Sequence, residues 1–549
     1  MKKNSRIKFI VTVSLLVYLI LLVILIFAER SHPDATVNNL WDALWYSFIT
    51  MTSVGYGDVV PVSVTGRVIG LLFSSFSVGL IALVLGFAGS FLVYRWIPSI
   101  RLLLRQNDIW VLLAGDTESL TNFLENMNNS AGSEYTDDSI LYILPANRHG
   151  RIENPLRIGK RSIRIMTIDY TPEQILHKRM KHPAERTQLY FLYPDDRRNI
   201  SLALRCRTFV RTNDINCTIC CRTNVSRSLL PKDIRVFNEV STASRLYWHS
   251  NGLEAGERNI MIIGEKEVAE GLLEQGLLFN VYGPGQQISY HLFDADDDYF
   301  KEHWCLGACT ADSSADGIRQ YRVVLADESG DSIFMHSFLW NDDPELLKTA
   351  DRIILCGNDA DNLRILSKLR SLFNIRCQIC VLCDGPMDGS LHGNTVFWEF
   401  RDRLYTPALL LNETTINNAR PLHNTYANAF MEDFHRRSNM AEADHVIQKV
   451  RILLEDRSIP ETTPNLIRQA YDRWTELKND PVKQDILRRI EHIRWVRFHL
   501  INNWEYAPER SDPDKKHPFL VPYDTLPEEG RTINDRAWDL LESYEAPSS

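Results

Sequence analysis

The chain has 549 residues, of which 44% are hydrophobic and 24% charged, and a formal net charge of −9. Beyond a first stretch of about 100 residues that length is enough for roughly three further domains, and the composition is that of folded globular domains, not of a solvating tail. So mild an acidic balance offers no basic footprint for nucleic acid, and none is expected as a partner.

Phe9 to Ala28 contains no charged residue, and neither does Val68 to Tyr94. Each run is long enough to cross a hydrocarbon core of about 30 Å as a helix. Lys2, Lys3, Arg6 and Lys8 precede the first run and Arg95, Arg101 and Arg105 follow the second. By the positive-inside rule both ends then lie in the cytoplasm, as a multi-pass protein of the cell's inner (plasma) membrane. A cleaved signal peptide is the rival for the first run. It fits less well, because Ile26 is large where a small residue is needed and the run is long for such a segment. No arginine ladder lies in either run, so the charge for voltage sensing is missing.

Between the two runs stands Thr52-Ser53-Val54-Gly55-Tyr56-Gly57-Asp58. A potassium filter replaces the ion's hydration shell with inward-turned backbone carbonyls, which favours glycine wherever φ must be positive. Gly55 and Gly57 meet that need. This stretch resembles the signature of potassium channels, with a short pore helix at about Leu40 to Met51 running into it. The resemblance implies K+ coordination at Ser53, Val54, Gly55 and Tyr56, a filter extending to Gly57, and a homotetramer in a lipid bilayer, since one loop supplies a quarter of a carbonyl ring. Ser53 stands where a second threonine is usual, keeping the hydroxyl and losing a methyl. In the second run Gly79 is the candidate hinge; the usual position falls nearer Ser77, and close helix packing is an equal reading of Gly86 and Gly89. Arg95 to Gln106 would be the linker that transmits force.

Two strands ending in glycine follow, Ile109 to Gly115 and Ile260 to Gly264. After each comes a strand, a polar turn and an amphipathic helix: Leu189-Tyr-Phe-Leu-Tyr-Pro-Asp195-Asp196-Arg-Arg-Asn199 in one, Arg352-Ile-Ile-Leu-Cys-Gly-Asn-Asp359-Ala-Asp-Asn362 in the other. Both run on into Ile-x-Cys-x-Ile-Cys, so the chain contains a repeat, and strands alternating with helices argue for doubly wound parallel sheets. The ten cysteines sit in or beside apolar runs without zinc-finger spacing, and are read as reduced core residues. A pore followed by this tandem resembles ligand-gated prokaryotic potassium channels with RCK (TrkA-N-like) domains, a family whose cytoplasmic ring pulls on the inner helices. The dinucleotide fingerprint G-x-G-x-x-G is absent from both loops. Gly115-Asp-Thr-Glu-Ser-Leu120 has no further glycine, and in Gly264-Glu-Lys-Glu-Val-Ala269 Lys266 replaces the central one. NAD is therefore not expected, and Gly264 and Lys266 are the only weak cofactor candidates.

After Pro421 the pattern becomes helical and charged and ends in Glu491-His492-Ile-Arg494-Trp495, Trp504-Glu-Tyr506-Ala-Pro508 and Lys515-Lys516-His517-Pro518-Phe-Leu520-Val521-Pro522-Tyr523. Residues 485 to 545 resemble the ryanodine-receptor (RyR) repeat, with Asn503 and Ala507 where glycines are common. Aromatic faces beside cations suit a nucleotide-type ligand, and the candidates are Arg494, Trp504, Tyr506, Lys515, Lys516 and His517. Trp495 and Trp504 are read first as core.

The expected fold is thus a membrane α-helical pore (residues 1–107; two transmembrane helices plus a pore helix), two α/β Rossmann-like domains (108–257 and 258–420) and a mainly helical C-terminal domain (421–549). The expected function is a ligand-gated potassium channel with no covalent chemistry. The alternatives are a membrane-anchored nicotinamide-binding or redox regulator, and a channel-derived sensor that acts through a protein partner.

Overall fold

A computed structural model describes residues 2–91, 109–116, 119–123, 126, 140–145, 164–167, 171–179, 186–225, 229–313, 319–385, 394–410 and 432–544; side-chain surroundings are not described for 2–15 or for most of 76–91. The chain divides into two compact units, Met1–Arg105 and Gln106–Ser549.

The first unit holds α1 (Lys2–Glu29), α2 (Leu40–Met51) and α3 (Val64–Phe91). Among the described side chains no helical stretch is long and apolar enough to cross a membrane. Side chains are described in α1 only from Leu16 onward and in α3 mainly up to Ser75, whereas each helix runs for 28 residues. A small core of Leu22, Leu25, Val37, Ala43, Ile69 and Phe73 joins the three helices. Close approach of α2 to α3 depends on Gly70, where a Cβ would lie 2.3 Å from the Tyr46 hydroxyl. One turn earlier, a Cβ on Gly66 would lie 2.3 Å from a Glu29 carboxylate oxygen. Cβ atoms at Gly86 and Gly89 would meet nothing within 4 Å in the single chain. Glu29 is fully buried and accepts hydrogen bonds from Val62 N (2.9 Å), Ser63 N (3.0 Å) and Ser63 Oγ (2.5 Å), so the end of α1 holds the start of α3.

In the second unit, β1 (Ile109–Gly115), β2 (Ile140–Pro145), β3 (Arg164–Thr167), β4 (Arg186–Leu192), β5 (Cys217–Arg222) and β6 (Ile234–Phe237) form a parallel sheet in the order β3-β2-β1-β4-β5-β6. A second sheet contains β7 (Asn259–Gly264), β8 (Ser289–Phe293), β9 (Cys309–Ser313), β10 (Arg319–Val324), β11 (Ser332–His336), β12 (Arg352–Cys356), β13 (Gln378–Cys383) and β14 (Thr395–Glu399). Its order is β14-β13-β12-β7-β8-β11-β10-β9. Removing the antiparallel β9–β10 pair leaves the order of the first sheet, that of a dinucleotide-binding fold. The repeated cysteine motifs fall on the equivalent strands β5 and β13, where Cys220, Cys221, Cys380 and Cys383 are buried. Burial raises the thiols of Cys221, to about 12, and of Cys377, to about 11, so these are inert packing groups at neutral pH.

Helices α4 (Pro172–Arg179), α5 (Asp196–Thr212) and α6 (Glu239–Ser250) accompany the first sheet, and α7 (Lys266–Phe279) and α8 (Asp359–Ser371) the second. The two domains interlock. Trp248 of α6 donates to Leu272 O of α7 (2.7 Å), over Gly276, where a Cβ would come within 2.8 Å of the indole. In return, Leu404, Tyr405 and Leu410 leave the second domain to join the core of the first.

Among the described residues four longer helices follow: α9 (Glu432–Asp444), α10 (Val446–Leu453), α11 (Pro464–Leu477) and α12 (Pro481–Ile501). The last two begin at Thr463-Pro464 and Asp480-Pro481, where a side-chain oxygen caps the first turn and proline fits the first helical position. This part is not a detachable module. Phe434, Ala441, Ile447, Phe498, Ile501 and Trp504 share one core with Leu272, Tyr290 and Ile333 of the second α/β domain.

Candidate functional site

The first candidate is the segment after α2. Asn39 caps that helix through Trp41 N (2.8 Å) and Asp42 N (3.0 Å), and its bounds match the sequence expectation. Its C-terminal end, the negative pole of the helix dipole, runs straight into Ser53. Ser53, Gly55 and Gly57 have φ of 58°, 57° and 76°, with Val54 and Tyr56 between them outside the left-handed region. Alternation of this kind turns successive carbonyls to one side of an extended chain, as ion coordination requires. The segment is tied at both ends. Val54 N and Gly55 N donate to Ile49 O (2.9 and 3.2 Å), Trp45 Nε1 donates to Asp58 Oδ2 (2.9 Å), and the Trp45 and Tyr56 rings stack at 6.2 Å. Thr36 Oγ1 further bridges Val60 N and O, at 2.8 Å each. Val54 (51%) and Tyr56 (70%) remain exposed in the single chain. Gly79 lies within α3, but its surroundings, like the linker 95–106, fall outside what is described.

The second candidate is the pair of crevices where each sheet reverses direction. Gly264 has φ of 155°, and a Cβ there would stand 2.4 Å from both Cys356 C and Gly357 N. Its glycine serves close approach of β7 to β12, with no phosphate needed to explain it. Lys266 is half exposed and reaches Asp296 Oδ1 at 3.4 Å; Glu265 and Glu267 flank it at the start of α7, where acids oppose a phosphate. Beside each crevice the same buried device ties neighbouring strand ends, β4 to β5 and β12 to β13. Asn199 accepts from Tyr193 N (3.0 Å) and donates to Tyr193 O (2.7 Å) and Arg222 O (2.9 Å). Asn362 accepts from Gly357 N (2.9 Å) and donates to Gly357 O (2.8 Å) and Leu382 O (2.7 Å). Asp196 and Asp359 then accept from the backbone after β5 and β13, at Asn224 N and Asp384 N. These residues stood aligned in the repeat, but the pattern alone gave no sign of their role.

The terminal candidates divide. Tyr506 (57% exposed) and Lys515 lie at the surface, with Lys515 Nζ donating to Asn502 O (3.1 Å). Strands β15 (Glu505–Tyr506) and β16 (Lys516–His517) pair in register Tyr506↔His517, so alternation directs Lys516 away from the Tyr506 face. The other candidates lie in the interior, as the sequence reading expects for Trp504 but not for Arg494 or His517. Arg494 is buried and paired with Glu491, with Glu442 at 3.9 Å, because an interior guanidinium needs carboxylates around it. Trp504 is core, stacked on Phe434 at 4.7 Å. His517 is packed between Trp495 and Phe519, and burial holds its pKa down at about 4, so it carries no charge for an anion. Asn503, where glycine is common, has φ of 58°, a conformation asparagine tolerates better than most residues.

Residues 10–94 match the family model described as ion channel. Over 58 residues the chain is 38% identical to a voltage-gated potassium channel of Aeropyrum pernix, covering 11% of this chain and 20% of that one. Over 57 residues it is 42% identical to the human potassium voltage-gated channel subfamily A member 4, covering 10% of this chain and 9% of that one. The chain thus spans about a fifth or less of the length of these relatives. Among solved structures, the GsuK channel bound to ADP aligns over 75% of this chain and 100% of its own, at 15% identity and a TM-score of 0.32. GsuK bound to NAD aligns over 77% and 86%, at 11% identity and the same TM-score. Residues 10–94 are thus similar to an ion channel domain, and a stretch of 57–58 residues of this chain is similar to potassium channels.

Proposed function

We propose that the protein is a homotetrameric, potassium-selective channel of the cell's inner membrane, with both termini cytoplasmic and its pore regulated by the tandem α/β domains and terminal helices. The observation that carries this reading is the run Ser53–Gly57: three alternate residues with positive φ, at the end of a helix, between two 28-residue helices, inside the stretch shared with potassium channels. Carbonyls of Ser53 to Tyr56 coordinate K+, four chains complete the ring, and α3 bends near Gly79. Reconstituted in liposomes, the full-length chain is expected to pass potassium at least about tenfold faster than sodium. Equal fluxes of the two ions would reject the reading.

The regulatory ligand belongs to the nucleotide class in this proposal, taken by the RyR-like region on the exposed face of Tyr506 and Lys515, with Lys516 at its margin. The crevices of the RCK-like domains serve assembly and transmission, not NAD binding, because Gly264 is crowded by backbone and acids flank Lys266. A stacked base contributes about 1–3 kcal/mol. Tyr506→Ala should therefore weaken binding of ATP or cyclic AMP by roughly tenfold in titration calorimetry on the full-length chain. Undiminished affinity in that variant, or micromolar binding of NAD that ignores it, would move the sensor to the crevices.

A further inference from the structure

Arg497, on α12, is completely buried, and its partners all lie in the second α/β domain. Nε donates to Asp327 Oδ2 (2.5 Å), Nη1 to Leu277 O (2.8 Å) and Nη2 to Ser329 Oγ (2.9 Å), with Asp331 Oδ2 at 3.0 Å. Asp327 and Asp331 are themselves fully buried. They belong to the turn between β10 and β11, and Asp331 reaches further: it accepts from Ile288 N (2.7 Å), just before β8, and from Gln286 Nε2 (2.7 Å). One guanidinium thus joins the end of α7, the approach to β8 and the start of β11, along the N-terminal edge of the sheet.

A second row of contacts involves the segment that leads from β8 to β9. His303 Nδ1 donates to Ile501 O (2.6 Å) and Asn503 Nδ2 to Glu302 O (2.6 Å), in the turn that leads to Trp504 and Tyr506. The last turns of α12 are therefore pinned to the second α/β domain twice, at Arg497 and at Ile501–Asn503.

We infer that Arg497 is a latch that makes the terminal helices and the β8–β11 half of the second sheet move as one body, so that a change at the terminal face is delivered to that sheet. The latch rests on no assumption about the ligand. Two buried carboxylates face one guanidinium, so the position requires a fork of donors as well as a charge, which lysine cannot reproduce.

Hydrogen exchange on the full-length chain in detergent tests this. In Arg497→Lys the amides of β8 and β11 should exchange at least tenfold faster, together with those of Val496–Ile501 and by a similar factor, while β12 and β13 stay unchanged. Acceleration confined to α12 and the turn 327–331 would reduce Arg497 to a local anchor and overturn the latch. If Arg497→Lys does not fold, the charge-free combination Asp327→Asn, Asp331→Asn, Arg497→Met is read instead. There too α12, β8 and β11 should exchange faster together, and acceleration confined to α12 or wild-type rates throughout would equally overturn it. In liposomes the same variants should change resting potassium flux at least threefold with the potassium-to-sodium ratio intact. Unaltered resting flux from a conducting, folded variant would sink the regulatory role, whereas absence of flux from the wild type would instead defeat the channel reading and leave the exchange result standing.

Discussion

If the protein is the tetrameric channel proposed above, Gly55→Ala should abolish potassium flux while leaving the tetramer assembled. A Cβ at this position meets nothing within 4 Å in the chain, so no clash in the single chain explains the effect; the cause is φ of +57°. An L-residue held there costs roughly 1–2 kcal/mol, and a tetramer bears that cost four times around one ring. Relaxation to the β region removes the strain but turns a carbonyl away from the ions. Either way the ring of oxygens is lost, and at least about a hundredfold drop in flux is expected. Native electrophoresis should still show the oligomer, because the helix core around Leu22, Leu25 and Phe73 is untouched. Ordinary conduction in the variant would mean that the carbonyls of this segment do not line the path. Ser53→Thr is the milder companion. It should conduct, but a β-branched residue at φ of +58° is disfavoured, so thermal stability should fall slightly.

What the sequence disclosed was local. The bounds of α2 could be read because the resemblance to the potassium-channel signature implies a short helix running directly into the segment that carries Gly55 and Gly57. The tandem could be read because two similar strings of strand, turn and helix repeat, and the repeat survives as β4–β5 and β12–β13 in sheets of the same order.

Residues whose partners are far along the chain misled or stayed silent. Arg494 in an E-H-x-R-W string looks available to a ligand until Glu442, fifty residues earlier on α9, is folded against it. Arg497, three residues on, drew no attention, since its carboxylates at 327 and 331 lie in another domain. Gly264 read as a remnant of a phosphate loop, whereas β12 beside it needs the space. The same distant packing changes how the terminal region can be tested. Cutting the chain after Pro421 would strip Phe434, Ile447, Phe498 and Trp504 from the core around Leu272 and Tyr290, and a silent channel would then report unfolding, not loss of a sensor. Point variants such as Tyr506→Ala avoid that confusion.

Acid should unfold the second unit well before its carboxylates are exhausted. His291 and His336, hydrogen-bonded at 2.9 Å between β8 and β11, are held down at about 3 and about 4, chiefly by burial. His445, donating to Val281 O across the junction with α9–α10, is held at about 3 for the same reason, and His517 at about 4. Burial also lowers His249, His492 and His499. An unfolded histidine titrates near 6.5, so between that value and the folded one the unfolded state binds more protons. Stability from these groups is whole above about pH 6.5 and is lost as pH falls toward 4. At pH 5 an independent buried histidine gives up about 2 kcal/mol, and several together rival the 5–15 kcal/mol that stabilises a typical domain. His291 and His336 share one bond and count for less than two. Glu442 and Asp331, raised by burial, work in the opposite direction, since the folded state keeps their protons as pH falls; two acids offset only part of the loss. Paired carboxylates such as Glu491, lowered to about 2 with Arg494 and Lys449 opposing its burial, add their share only below about pH 4. Urea unfolding of the full-length chain, followed by tryptophan fluorescence of Trp474, Trp504 and Trp538, should show a midpoint falling steeply from pH 7 to pH 5. The slope should flatten in His445→Gln, which keeps a donor toward Val281 and cannot take up a proton. A midpoint that stays level across that interval would mean that these imidazoles are charged, or solvated, in the folded protein.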